Sequence, residues 1–276
     1  MITVGSLFSG IGGIDLGLER AGMTVKWQSE IEPYSCRVLK KHWPDVPNLG
    51  DIKNIDWSQI EPVDLIAGGY PCQPFSLAGK REGTNDPRHL WPYFRNAISA
   101  IRPSYALLEN VRGHLTMGGT NVIGDLAEIG YNCEWQIISA ASVGAPHKRD
   151  RIIIVAYPSE QCEHGRGYFH GTPEVSERQT LQKQISGGHS SISNATCCNG
   201  RVKKSHCLPK IFRQTTEFRE PVSSVRPQFN RWQDEPSVGR VANGVPYRVD
   251  RLRGLGNAVV PQVAELVGRM IMASLT

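Results

Sequence analysis

Along most of the chain, short apolar runs alternate with stretches whose apolar residues recur at helical spacing, the pattern of an α/β protein with a mainly parallel sheet. Thr3 to Phe8 predict a strand, followed by a glycine turn and a helix that carries Leu16 and Leu18 and ends at Gly22. "TVKWQSE" predicts a second strand closing on Glu30. The helix after it, through Tyr34, Val38 and Leu39, stops before Pro44, because proline cannot continue a helix. "VDLIAGG" (63–69) is unbroken in its apolar character, as a parallel strand covered on both faces must be. A helix over 91–101, the strand "YALLENV", a helix near 122–128, the strand "EWQIIS", the loop "ASVGAPHKRDR" and the strand "IIIVAY" continue the alternation. Near the end, "LRGLGNAVVPQVAELVGRMI" predicts a glycine turn running into an amphipathic helix from Pro261 to Ala273, which is expected to pack back on the sheet.

The alternation stops between Pro158 and Ala242. That segment is poor in aliphatic residues, rich in Gly, Ser, Arg and His, and contains "SGGHSSIS". The expected organisation is a Rossmann-like core over 1–157, with helices on both faces of its sheet. A small loop-rich lobe over 158–242 and a segment over 243–276 returning to the core complete it. With 276 residues and 39% hydrophobic content the chain can bury one large core. The formal charge is +5, and the lobe, with 12 Lys/Arg against 8 Asp/Glu, holds +4 of it. Such an excess suits either a solvated insertion or a nucleic-acid contact. Seven cysteines, an odd and scattered set, do not form a disulfide framework, so the thiols are expected to be reduced. No apolar stretch reaches about 18 residues and no basic-apolar leader is present, so a soluble, unexported protein with no membrane partner is expected.

Three places carry candidate chemistry. In "FSGIGG" (8–13) the glycines bring backbone close to a ligand and open a helix. Asp15 stands where a dinucleotide fingerprint has its third glycine, which argues against a pyrophosphate; a purely structural glycine turn is the bland alternative. Glu30, about twenty residues on at the next strand end, is placed to accept from a ribose diol. Asp51 is either an adenine contact or an exposed loop aspartate. In "GGYPCQPFS" (68–76), a strand delivers Cys72 into a turn between Pro71 and Pro74, at the carboxyl edge where open α/β sheets place ligands. A buried, inert thiol would look the same locally. Glu109, at the end of "YALLENV", is expected to be partly desolvated with a raised pKa, unless it merely caps the next helix. Arg149 and Arg151 alternate at a strand mouth, so their side chains should point the same way. His147 receives no ligand role. Cys162, His164, Cys197, Cys198, His206 and Cys207 are too irregularly spaced for a zinc site, and no metal is assigned.

In chain order these pieces resemble the DNA cytosine-5 methyltransferase family, in the compact form found in bacterial modification systems and their phages. "FSGIGG" resembles its cofactor loop, "GGYPCQPFS" its nucleophile loop, "ENV" its substrate-carboxylate motif, "RDR" its arginine pair and "RGLGNAVVPQVA" its closing motif. The match covers residues 1–157 and roughly 240–276. The resemblance implies that Cys72 adds to C6 of cytosine, making C5 nucleophilic. Glu109 would hold N3 and the exocyclic amine, and Arg151 with Arg149 the O2 side or a phosphate. It implies S-adenosylmethionine as cofactor, with the methionine part near Phe8, Gly10 and Asn257, the ribose on Glu30, and the adenine near Ile31, Asp51, Ile52 and Leu90. Gly12, Gly13, Pro71 and Val259 complete the implied cofactor set. Duplex DNA with the base flipped out is the implied substrate, and the lobe over 158–242 would select the sequence. A cytoplasmic, nucleoid-associated monomer in a prokaryotic or phage-infected cell is expected, with a cognate restriction endonuclease as a possible partner. Two alternatives share these residues. One is an RNA cytosine-5 methyltransferase, whose tRNA-acting relatives carry a Cys-Phe-Thr element absent here. The other is a catalytically dead DNA-binding relative, against which Cys72, Glu109 and Arg151 stand intact.

Overall fold

In the computed structural model, the residues described are 1–71, 90–116, 118–159, 211–212 and 248–275. The chain divides into two units, Met1–Cys162 with Leu208–Thr276, and Glu163–Cys207, and every described residue belongs to the first. Six strands, β1 (Thr3–Leu7), β2 (Thr24–Ser29), β3 (Leu65–Gly69), β4 (Tyr105–Val111), β5 (Tyr131–Ile138) and β6 (Arg151–Pro158), form one sheet in the order β2-β1-β3-β4-β6-β5. The pairs β1–β2, β1–β3 and β3–β4 are parallel, while β6 runs antiparallel to both β4 and β5. The sheet is therefore mixed, parallel on one side and antiparallel on the other. β5 reaches β6 through a connection that holds only a short 3-10 turn (Ala140–Val143), and a link without a crossover helix joins antiparallel neighbours.

Alternation along the strands sends side chains into two apolar layers. Leu65, Ala67, Leu107, Ile153 and Val155 meet α1 (Gly13–Arg20) and α6 (Pro261–Ala273), with Leu18, Val263 and Val267 in that layer. Ile66, Ala106, Leu108, Ile152 and Ile154 meet α3 (Trp91–Ile101) and α4 (Gly119–Glu128), through Phe94, Ile98, Val122 and Leu126. α2 (Pro33–His42) starts with Pro33 at its first turn, and the Glu32 carboxylate accepts from the Ser35 N–H as its cap. The C-terminal helix packs back on the core as expected, beside α1. The glycine turn expected before it is instead the helix α5 (Arg248–Asn257), and Gly254 there faces Ile11 and Tyr34. Tertiary contact stabilises helical backbone across glycines that local preference would leave as a turn. Ile211, buried in the α1/α6 layer, and Phe212, whose N–H donates to Glu134 at 3.1 Å, attach to the β5 side. The rest of the expected lobe, 160–210 and 213–242, lies outside the described residues.

Candidate active site

A cavity of about 560 Å³ opens at the carboxyl end of β1, β2, β3 and β4, a size ordinary for a small-molecule site. The glycine loop after β1 forms one wall. Phe8 (φ 53°) and Gly10 (φ 55°) are both left-handed, a conformation costly for a phenylalanine, whose ring stacks on Phe94 at 6.2 Å. Glu30 organises this end. Its Oε2 accepts from the Gly10 N–H at 2.7 Å, and its Oε1 accepts from Ile31 at 2.8 Å and Glu32 at 2.7 Å. A carboxylate has about four acceptor positions, so Glu30 retains room for one further donor such as a ribose hydroxyl. Asp51 caps the 3-10 turn Ile52–Asn54 by accepting from the Lys53 N–H, and it also lines the cavity. Phe8, Gly10, Gly13, Ile31, Ile52, Pro71, Leu90, Asn257 and Val259 line the same cavity. Gly12 does not. It caps α1 with φ 81°, and a Cβ there would lie 2.4 Å from the Trp43 ring. The walls are apolar where Phe8, Ile31, Ile52 and Leu90 stand and acceptor-rich at Glu30 and Asp51. This combination fits a nucleoside-bearing cofactor.

Glu109 closes the other end of the cavity. It is 7% exposed and lies opposite Gly69 of β3, where a Cβ would come within 2.5 Å of its Oε2. Glycine at 69 is what leaves space for the carboxylate. Arg151 Nε contacts Glu109 Oε1 at 2.7 Å. Burial pushes the Glu109 carboxyl up to about 6, with Arg151 and Arg149 pulling the other way. It is an ion-paired group, not a helix cap. Because β6 is antiparallel to β4, its first residue, Arg151, pairs with Val111, the last residue of β4. An arginine that opens one strand thus meets a carboxylate near the end of another.

Arg149 and Arg151 both act on the Glu109 carboxyl, but they are not placed by one strand. β6 begins at Arg151, and Arg149 precedes it with φ 40°, so strand alternation does not apply. Its guanidinium donates to the carbonyls of Gly256 and Ala258, each at 2.6 Å, and so ties the segment before α6 to the cavity rim. Cys72 lies outside the described residues, as do the Cys and His residues of the lobe. Among the described residues no group of three or more His, Cys, Asp and Glu is placed to hold a metal ion, and no helix is long and apolar enough to cross a membrane. Sequence reasoning missed Tyr70, Asn110 and Arg253, which also line the cavity. Asn110, the middle residue of "ENV", donates through its Nδ2 to the Tyr70 carbonyl at 3.2 Å.

The family described as C-5 cytosine-specific DNA methylase matches residues 2–235. The Type II methyltransferase M.NgoMIV of Neisseria gonorrhoeae is 30% identical over 304 residues, covering 97% of this chain and 96% of that protein. M.Eco47II of Escherichia coli, also a Type II methyltransferase, is 41% identical over 172 residues, covering 58% of this chain and 40% of that protein. The structure of a protein described as a DNA modification methyltransferase encoded within an Escherichia coli prophage shares the fold. Its TM-score is 0.59 at 19% identity, over 100% of this chain and 99% of that one.

Proposed function

Because the chain belongs to the C-5 cytosine-specific DNA methylase family, it is a DNA cytosine-5 methyltransferase; from that premise we propose that Cys72 is its nucleophile, Glu109 and Arg151 hold the target base, and S-adenosylmethionine is the methyl donor. The observation that carries this reading is the buried Glu109 carboxyl, paired with Arg151 at the end of the cavity opposite the Glu30 loop. The Glu30 side of the cavity would hold S-adenosylmethionine, which would supply an electrophilic methyl group for C5. Glu30 would accept from the ribose, and the acceptor position left on its carboxylate suits that task.

The chain's own residues do the rest. The Cys72 thiolate gives an electron pair to C6, forming the C–S bond and pushing the ring's π electrons toward C5 and N3. Glu109, whose raised proton affinity suits sharing a proton, hydrogen-bonds N3 and the exocyclic amine and stabilises that charge. Arg151 fixes the Glu109 carboxylate and faces the O2 side. After a base removes the C5 proton, the returning electron pair restores the ring double bond and expels the Cys72 thiolate. The target atoms are inaccessible inside a duplex, so the cytosine is read flipped out.

Covalent trapping tests the assignment. A duplex carrying 5-fluorocytosine at the target position cannot lose fluorine as a proton, so the methylated adduct keeps the enzyme. The expected adduct requires S-adenosylmethionine, survives denaturing gels, and disappears in Cys72→Ala while persisting in Cys36→Ala and Cys133→Ala. Glu109→Gln should slow trapping by about 10²-fold or more, the usual scale for losing one transition-state stabiliser. A denaturation-stable adduct in Cys72→Ala would show that another residue attacks the base.

A further inference from the structure

The stretch Gly69-Tyr70-Pro71-Cys72 has few means of fixing its own position. Gly69 has no side chain, and Pro71 has no N–H to donate. Tyr70 is the residue before Cys72 whose side chain can hydrogen-bond, and the fold anchors it at several points. It is 5% exposed, and its Oη lies 2.6 Å from Nε2 of His114, which is 2% exposed. The two rings meet edge to face at 5.4 Å. The Tyr70 carbonyl accepts from Asn110 Nδ2. Its ring also packs on Trp91 at 5.4 Å and on Phe94 at 6.0 Å. Trp91 opens α3, the first helix after residues 72–89, and its Nε1 donates to Asp125 of α4 at 2.6 Å. Tyr70 therefore joins residues that precede 72–89 and residues that follow them in one buried layer of the core.

We propose that Tyr70 and His114 form a positioning pair for the nucleophile, their buried hydrogen bond fixing the backbone two residues before Cys72 relative to the base held by Glu109. The inference rests on the reading of Cys72 above. Tyr70 lines the cavity, but its hydroxyl is engaged with His114, so the pair acts through the chain that carries the thiol. Buried hydroxyl and imidazole groups are costly to leave unsatisfied, so the pair has one preferred geometry and resists small displacements. Burial also pushes His114 down to about 4, so at neutral pH the imidazole is uncharged and its bond with the Tyr70 hydroxyl is between neutral groups. A phenylalanine at position 70 would keep the ring packing and lose the fixed register. The polar pair thus has a use that packing alone does not supply.

The test uses the full-length enzyme and the 5-fluorocytosine duplex, with single-turnover trapping rates and separate dissociation constants for S-adenosylmethionine and for the duplex. Tyr70→Phe and His114→Phe should each slow trapping by about 10- to 100-fold, the scale of a small misplacement of a reacting group. Both dissociation constants should stay within about twofold, the split expected when an interaction serves only the chemical step. The double variant should be no slower than the slower single one, because the two residues act as a unit. His114→Gln, which keeps a hydrogen-bonding group toward Oη, should recover most of the rate. If Tyr70→Phe lowers only the melting temperature and traps at the wild-type rate, the pair is structural and the proposal is wrong. Loss of ligand affinity with an unchanged trapping rate, or effects that add in the double variant, would overturn it as well. If His114→Phe does not fold, Tyr70→Phe and His114→Gln decide the question. Cys72→Ala is run in parallel: an adduct that persists there removes the nucleophile and this proposal together. An adduct lost there, with Tyr70→Phe unimpaired, removes this proposal alone.

Discussion

Asp15 occupies the position where a dinucleotide-binding turn would have its third glycine, and it is fully buried. Ser6 Oγ donates to one carboxylate oxygen at 3.0 Å and Gln28 Nε2 to the other at 2.8 Å, so the side chain braces β1 and β2 from beneath the glycine loop. Burial pushes its pKa from the ordinary 3.8 up to about 6, against the pull of those two hydrogen bonds. Well below pH 3.8 the carboxyl is neutral in both folded and unfolded chains, whereas above pH 6 the fold must hold a charge that burial disfavours. Stability from this group is therefore lost as pH rises between about 4 and 6, by an amount on the order of 3 kcal/mol at most. Asp15→Asn removes the titration while keeping the shape. In urea unfolding, its stability relative to the wild type should improve as pH rises from 4 to 7, and a difference flat in pH would refute this account. Glu30 is the second residue whose role can be separated by substitution. Glu30→Ala should weaken S-adenosylmethionine binding in calorimetry by about 1–3 kcal/mol, as for a lost charged hydrogen bond. Part of that loss would come from releasing the Gly10, Ile31 and Glu32 N–H groups it now accepts from. Unchanged affinity would take Glu30 out of the cofactor site.

At the level of elements, the contact between α1 and α6 decides whether the glycine loop is held. A Cβ on Gly17 would lie 2.3 Å from the Pro261 carbonyl and 2.6 Å from Ala264 Cβ, and one on Gly13 would lie 2.4 Å from the Val259 carbonyl. These are mostly backbone atoms at the start of α6, which have little freedom to move. Alanine ordinarily favours a helix interior over glycine by about 1 kcal/mol, but at Gly17 that gain should be outweighed. Gly17→Ala is expected to destabilise by roughly 2 kcal/mol, the range for overpacking. Gly124 in α4 has nothing within 4 Å of a Cβ, and Gly124→Ala should stabilise by up to about 1 kcal/mol. Opposite signs in thermal unfolding would confirm the packing argument. Equal effects would mean that α1 and α6 are not in close backbone contact. Arg149, through the Gly256 and Ala258 carbonyls, holds the same segment from the β6 side, which is why Asn257 and Val259 reach the cavity.

For the whole molecule, the division of labour proposed is chemistry in the core and sequence selection in residues 158–242. The excess of 12 Lys/Arg over 8 Asp/Glu in that segment suits phosphate contacts that position DNA, with a few side chains left to read base edges. Replacing residues 158–242 with the corresponding segment of another family member should change which sequence bisulfite analysis finds methylated, with the trapping chemistry preserved. Retention of the original target sequence would place selection elsewhere in the chain.

The alternation of short strand-like runs with helical periods marks the six strands in chain order and the helices through α4; β3 and β6 stand out by unbroken apolar runs, whereas β2 and β5 carry polar residues among their apolar ones. Glu30 and Glu109, the carboxylates proposed to hold cofactor and substrate, were legible because each lies at or near the carboxyl end of a strand, Glu30 just after β2 and Glu109 two residues before the end of β4. Position along a strand can be read locally, but direction cannot, so the antiparallel placement of β6 that brings Arg151 to Glu109 was settled only by packing. The same holds for Arg149, whose guanidinium is fixed by carbonyls more than a hundred residues away, and for α5, where a run with two glycines is helical against Ile11 and Tyr34. His114 left no local trace at all. A lone histidine after a strand acquires meaning only when Tyr70, 44 residues earlier, is brought within 2.6 Å of it. Local sequence determines which segments bury and where each ends; which ends meet depends on the long-range packing of one sheet between two helical layers.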